Sequence, residues 1–238
     1  KTGLLPMLAS LIDKYQEDYS IKDVRNVLET NKIPKEIGEF KARQYQIDAV
    51  RSILENEVLG IPFQRGIIGA AVNAGKTLIA AMLYKSFKNV KCLILVNNSP
   101  LFEQFLKDMP KMFGDDWGYM QGKKIKWANI MVCMTPTLRN NLDLYYQKLA
   151  TYNMCIFDEC HLITSKTNKK VMTFLYNTVI RVGLSGTPFA HKDPTKNMDV
   201  RAFFGEETFK ISSMELTDMG YSTKIIIKIF RGNTLVKI

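Results

Sequence analysis

The stretch from Arg65 to Phe87 constrains this chain more than any other part of it. An apolar, β-branched run, Arg65 to Ala70, passes directly into Ala71-Val72-Asn73-Ala74-Gly75-Lys76-Thr77, and Lys76 to Phe87 then reads as a helix with few breakers. A buried strand that turns into a helix through small residues gathers unpaired backbone N–H groups at one point, beside the positive end of the helix dipole. That arrangement favours an anion. Asn73, Ala74 and Gly75 would form the turn, and the small Ala74 and Gly75 let a phosphate approach the backbone closely. Lys76 has the charge and reach for β and γ phosphates, and Thr77 offers a hydroxyl to Mg²⁺, which prefers hard oxygen ligands. The pattern departs from the usual phosphate loop at Ala70, where a first glycine is expected. Gly-Lys-Thr at a helix start is common by chance, so the motif needs its strand and its downstream partners to carry weight.

The surrounding rhythm supplies the strand. Five short apolar runs, Arg65 to Ala70, Lys91 to Val96, Ile130 to Met134, Met154 to Phe157 and Val179 to Leu184, alternate with helix-length segments at Lys76 to Phe87, Pro100 to Met112 and Thr137 to Ala150. Strands without polar alternation are buried on both faces, so the expected fold is α/β, a mostly parallel sheet covered by helices, with ligands at the strand C-termini. A length of 238 residues admits one large domain or a core with an appendage. The first forty residues read as a small N-terminal accessory segment with an amphipathic helix at Ser20 to Glu29, which either packs or contacts nucleic acid. Tyr221 to Ile238 reads as an extended basic strand with no second βα series after it. The chain starts at Lys1 and not at Met, which fits a piece of a longer polypeptide.

Lys and Arg total 33 against 23 for Asp and Glu, and between Ile61 and Asn140 there are eleven basic residues against four acidic ones. The excess suits either a polyanionic partner or a solvated surface. Cys92, Cys133, Cys155 and Cys160 lack metal-ligand spacing and fit reduced thiols, which with the absence of a signal peptide gives an expected cytoplasmic location. No apolar stretch is long enough for a bilayer, so no membrane partner is expected.

Met154 to Phe157 ends in Asp158-Glu159-Cys160-His161, which puts two carboxylates where a buried strand emerges. Asp158 can hold Mg²⁺ through its water shell, and Glu159 can orient or deprotonate a water that attacks the γ phosphate. An acidic pair after a strand alone would more often cap a helix; with the phosphate loop upstream, the catalytic reading prevails.

At this point the sequence resembles the superfamily 2 helicases. Asp158 to His161 looks like the DECH form of motif II, Gly183-Leu184-Ser185-Gly186-Thr187-Pro188 resembles motif III, and Ala42-Arg43-Gln44-Tyr45-Gln46 is similar to the Arg-x-Tyr-Gln segment ahead of the phosphate loop. Leu93 to Gln104 resembles motif Ia, and Met134 to Thr137 the motif Ib/Ic region. The motif style is similar to phage-type branched-DNA helicases. The resemblance implies a RecA-like P-loop fold, with Gln46 reading the adenine edge of ATP and Arg43 helping the base site. It implies that Asn98, Ser99, Thr135 and Thr137 meet the phosphates of a nucleic-acid strand, although simple helix capping explains these four residues as well. Ser185 and Thr187, with His161, would couple the nucleotide site to movement.

The expected protein is thus an ATP-dependent translocase that unwinds or remodels branched DNA, with RNA left open. Residues 41–220 would form its first RecA-like domain, 1–40 the accessory segment and 221–238 the start of a linker to a second RecA-like domain that supplies catalytic arginines. By itself this chain is then expected to turn over ATP poorly. Two other readings stand: the motor subunit of a restriction or remodelling complex that moves on duplex without unwinding it, and a nucleic-acid-binding module in which ATP is only a switch.

Overall fold

The structure is a computed structural model that describes residues 2–15 and 27–223. The elements in chain order are α1 (Leu5–Tyr15), a hairpin of β1 (Glu36–Ile37) and β2 (Phe40–Lys41), α2 (Gln44–Leu54), a second hairpin of β3 (Glu57–Val58) and β4 (Ile61–Pro62), and then β5 (Arg65–Ala70). After these come α3 (Lys76–Lys85), β6 (Cys92–Val96), α4 (Ser99–Phe113), β7 (Gly118–Gln121), β8 (Lys124–Lys126), β9 (Ile130–Met134), α5 (Thr135–Asn140) and α6 (Tyr146–Leu149). The remainder is β10 (Met154–Asp158), α7 (Lys166–Phe174), β11 (Ile180–Ser185), α8 (Pro194–Phe204), β12 (Glu207–Ile211) and α9 (Ser213–Asp218).

Among the described residues, eight strands form one sheet in the order β12-β5-β11-β10-β6-β9-β7-β8. All neighbours are parallel except the edge pair β7–β8. Every residue of β5, β6, β10 and β11 is buried, which explains their unbroken apolar runs: with helices on both faces there is no wet side to alternate with. On one face Val50, Ile79, Met82 and Phe105 from α2, α3 and α4 pack on Ile68, Ile94 and Ile156; on the other, Leu138, Met172 and Phe203 from α5, α7 and α8 pack on Ile67, Leu95 and Phe157.

Since all seven parallel strands point the same way, β5, β10 and β11 deliver their C-terminal ends to one edge of the molecule. The strand between the phosphate loop and the carboxylates is β11, paired with both. Its Gly183 has no side chain for a reason of space: a Cβ there would lie 2.8 Å from the Cβ of Cys160, so glycine lets the carboxylate turn sit directly against β11.

Several expectations need correction. The sheet is larger than five strands: β7, β8 and β12 join it, and β12 beside β5 continues the α/β pattern past Thr187. The helix expected over Thr137 to Ala150 is two short ones, α5 and α6. The amide of Asn141 donates to Thr137 O at 2.7 Å, and the Asn141 backbone N–H bonds to Leu138 O, so a side chain competes with the helical ladder and ends it. Expected strand and helix limits otherwise shift by a residue or two, as at Cys92, Ile180 and Ser99. The expected helix at Ser20 to Glu29 lies largely outside the described residues, and its last three are not helical; the expected strand at Tyr221 to Ile238 also lies outside them beyond residue 223.

Candidate active site

The loop after β5 is shaped by two left-handed residues, Asn73 at φ 68° and Gly75 at φ 73°. Gly75 serves two needs at once, since a Cβ there would also sit 2.5 Å from Nε2 of Gln46. The curl is fixed from α2: the Tyr45 hydroxyl and the Gln46 amide both donate to Ala74 O at 3.0 Å, while Gln46 Oε1 accepts from Arg43 N at 2.9 Å. Gln46 therefore ties the Arg-x-Tyr-Gln segment to the loop and keeps one amide hydrogen and one lone pair uncommitted. Arg43 lies with its guanidinium 4.1 Å from the centre of the Tyr221 ring and donates to the Tyr45 hydroxyl. A cavity of about 200 Å³ opens between this corner, the loop and α4; Phe40, Arg43, Gln46, Gly75 and Thr77 line it.

Lys76, the first residue of α3, reaches across to the end of β10. Its Nζ is 2.7 Å from Glu159 Oε1 and 3.9 Å from Asp158 Oδ1. Asp158 is 2% exposed, and burial pushes its carboxyl up to about 6, with Lys76 pulling it down and Glu159 pushing it up. Glu159 sits in a left-handed conformation at φ 55°, a strained geometry for a residue with a side chain, which turns its carboxylate toward Lys76. Ser185, at the end of β11, donates to Glu159 Oε2 at 3.3 Å and accepts from Thr187 N at 3.2 Å. His161 Nδ1 lies 3.0 Å from Ser185 Oγ and 3.4 Å from Glu159 Oε2. Burial pushes the His161 imidazolium down despite Glu159, so the ring is neutral near pH 7.

The structure thus gathers Arg43, Gln46, Asn73, Ala74, Gly75, Lys76, Thr77, Asp158, Glu159, His161, Ser185 and Thr187 at one edge of the sheet. It does not bring Asn98, Ser99, Thr135 or Thr137 into that cluster. Asn98 caps α4 by accepting from Leu101 N, and exposed Ser99 opens the same helix. Thr135 is fully buried with its hydroxyl on Val96 O, and the Thr137 hydroxyl accepts from Gly122 N in the β7–β8 turn. Three contributors were missed. Tyr45 stands inside the quoted Arg-x-Tyr-Gln segment, so its position was a signal. His191, whose Nε2 donates to His161 O at 2.8 Å, and Asp108, on the cavity wall, carry no local motif.

The donor chemistry suits a magnesium-bearing nucleotide. Among the described residues no group of three or more His, Cys, Asp or Glu side chains is placed to hold a metal unaided. One hydroxyl, Thr77, and one buried carboxylate, Asp158, are the incomplete set that Mg²⁺ accepts when phosphate oxygens and waters fill its remaining positions.

The shifted carboxyl of Asp158 has a measurable cost. Below about pH 4 it is protonated in both folded and unfolded chains; between about 4 and 6 the unfolded chain loses the proton and the folded chain keeps it, so stability falls through that window. Asp158→Asn, neutral throughout, is expected to be the more stable by roughly 3 kcal/mol above pH 6, with the gap closing toward pH 4. Denaturant melts in chelator across that range measure it; a gap independent of pH would contradict the shift.

Parallel strands that carry a phosphate loop, a two-carboxylate turn and a Ser-Gly-Thr turn to the same edge give this chain the architecture of a RecA-like domain. It belongs to the family described as type III restriction enzyme, res subunit, whose model matches residues 39–190. Among curated relatives it is 27% identical over 217 residues to the DNA 3'-5' translocase XPB2 of Sulfurisphaera tokodaii, covering 91% of this chain and 46% of that protein. It is also 27% identical over 222 residues to the ATP-dependent DNA helicase uvsW of Enterobacteria phage T4, covering 89% and 42%. The chain therefore spans about half the length of these relatives. Among solved structures, the UvsW helicase from bacteriophage T4 superposes with a TM-score of 0.67 at 23% identity, covering 88% of this chain and 78% of that one. The Hef helicase domain of Pyrococcus furiosus gives 0.57 at 20% identity, covering 70% and 37%. These superpositions confirm the mostly parallel, helix-covered fold.

Proposed function

We propose that this chain is the first motor domain of an ATP-dependent DNA translocase that unwinds or remodels branched DNA. The observation that carries the reading is the Lys76–Glu159–Ser185–His161 chain of contacts, which links the phosphate loop to the turn after β11. Lys76 holds the β and γ phosphates, the loop N–H groups of Ala74 to Lys76 cradle them, and Gln46 and Arg43 hold the base. Thr77 and Asp158 hold Mg²⁺, which when bound neutralises phosphate charge. Glu159 orients the attacking water and accepts its proton. Ser185 and Thr187 sense that carboxylate, and through β11 any shift reaches the rest of the sheet. Asn98, Ser99 and Thr137 lie at strand C-termini where a nucleic-acid backbone would pass, and Thr135 shapes that edge through its bond to Val96.

Residues 41–220 constitute this motor domain, 1–40 an accessory segment and 221–238 the approach to a second RecA-like domain, which closes on the nucleotide and supplies arginines. Among the described residues no helix is long and apolar enough to cross a membrane. As a separate part of the proposal, the protein works in the cytoplasm of a bacterial or phage-infected cell. A second reading is favoured by the family itself: as in a restriction complex, the motor would track duplex without separating it. ATP hydrolysis by the full-length polypeptide on forked, single-stranded and duplex DNA separates the two. Strongest stimulation by forks with strand displacement supports the first reading; equal stimulation by plain duplex without displacement supports the second.

A further inference from the structure

The cavity beside the phosphate loop has a wall that the motifs account for only at its far end, Gln104. Opposite Phe40, Arg43 and Gln46 stands α4, which contributes Gln104, Asp108 and Met112. These residues are spaced four apart, so they line one face of the helix, each about 5–6 Å further along the axis. The Met112 end is the one that meets the β1–β2 hairpin: Glu39 N donates to Lys111 O there, and Met112 is buried among apolar neighbours with Phe40 packed against them. That apolar corner, with Arg43 and Gln46, suits the flat face of a base. Asp108 lies one turn back from it. It is half-buried, and among the described residues it makes no ion pair or hydrogen bond with protein.

The cavity volume of about 200 Å³ is below the roughly 300–1,000 Å³ of a pocket that engulfs a whole drug-sized ligand, so it takes only part of a nucleotide. With the phosphates on the loop, the part left for the cavity is the nucleoside. An ionised carboxylate only accepts hydrogen bonds and repels phosphate. With the polar edge of the base, its amino group included, turned to the uncommitted groups of Gln46, the donors a nucleoside has left for Asp108 are the hydroxyls of its sugar. This argument rests on the nucleotide-site reading given above. We propose that Asp108 accepts hydrogen bonds from the ribose hydroxyls and so makes the site discriminate ribonucleotides from deoxyribonucleotides, with Gln104 one turn further on as a neutral neighbour.

A hydrogen bond to a charged acceptor that is lost from a partly desolvated site lowers affinity by on the order of tenfold or more. The test is equilibrium binding of ATP, 2'-deoxy-ATP and 3'-deoxy-ATP to the full-length polypeptide, as wild type and as Asp108→Ala, with Asp108→Asn retaining the shape and one acceptor. The expected result is that at least one deoxy analogue binds the wild type about tenfold or more weakly than ATP. Asp108→Ala is then expected to weaken ATP by a similar factor and leave that analogue unchanged, with Asp108→Asn in between. Equal affinity of all three nucleotides for the wild type overturns the proposal, and so does an equal loss of all three in Asp108→Ala. Failure of the underlying reading looks different: ATP would then bind no better to wild type than to Lys76→Ala, whatever its sugar.

Discussion

Glu159→Gln is expected to lower ATP turnover by roughly 10²–10⁴, the usual contribution of a positioned general base, without weakening ATP binding. Two features give the carboxylate that role. Its backbone holds a left-handed φ of 55° that an ordinary loop would relax, and its two oxygens are divided between Lys76 Nζ at 2.7 Å and the Ser185 hydroxyl at 3.3 Å. Before Lys76 can serve a phosphate it must release that carboxylate. Neutralising Glu159 removes the competing charge, so nucleotide affinity should hold or rise while hydrolysis falls. Single-turnover hydrolysis measured beside equilibrium binding separates the two effects. Turnover within tenfold of wild type would remove Glu159 from the chemistry and leave it a counter-ion for Lys76.

A larger effect is expected from outside this chain. Among the described residues the side-chain cation at the phosphate loop and carboxylates is Lys76, beside neutral loop N–H groups; Arg43 lies on the cavity wall over the Tyr221 ring. Charge that develops on a transferred phosphoryl group is commonly met by arginines, and supplying them raises turnover by about 10³–10⁵. Residues 1–238 expressed alone should therefore bind ATP weakly and hydrolyse it at least about 10³ times more slowly than the full-length polypeptide with DNA. Rapid, DNA-stimulated hydrolysis by the 238 residues alone would contradict the division of the site between two domains.

How much of this was legible in the sequence follows from which interactions are local. Strands β5, β6, β9, β10 and β11 could be read because burial on both faces leaves continuous apolar runs, and the phosphate loop because its requirements, small residues followed by Lys76 and Thr77, fall within one turn of chain. Strands β7, β8 and β12 carry polar residues such as Lys124, Lys126 and Lys210 because they lie at or next to the sheet edges, and that mixture hides them. The split of the helix after β9 depends on one amide, Asn141, turning back onto Thr137 O. At the site, Asp158 and Glu159 were readable from their strand, but not that β11 separates it from β5, nor that Lys76 already rests on Glu159. Those facts depend on strand order, which residue spacing does not encode. Asp108 was invisible for a related reason: it lies on a helix face turned toward a hairpin nearly seventy residues earlier in the chain, and only the packing of α4 against that hairpin gives it a place on the cavity wall.

The most direct measurement of the central claim, that the loop from Ala70 to Thr77 and the carboxylates after β10 power movement on DNA, is strand displacement on a forked substrate by the full-length polypeptide, wild type against Lys76→Ala. Removing the side chain that, among the described residues, bridges the loop and both carboxylates is expected to abolish ATP-dependent displacement while DNA binding persists without nucleotide. Displacement that continues at the wild-type rate in Lys76→Ala would contradict the account.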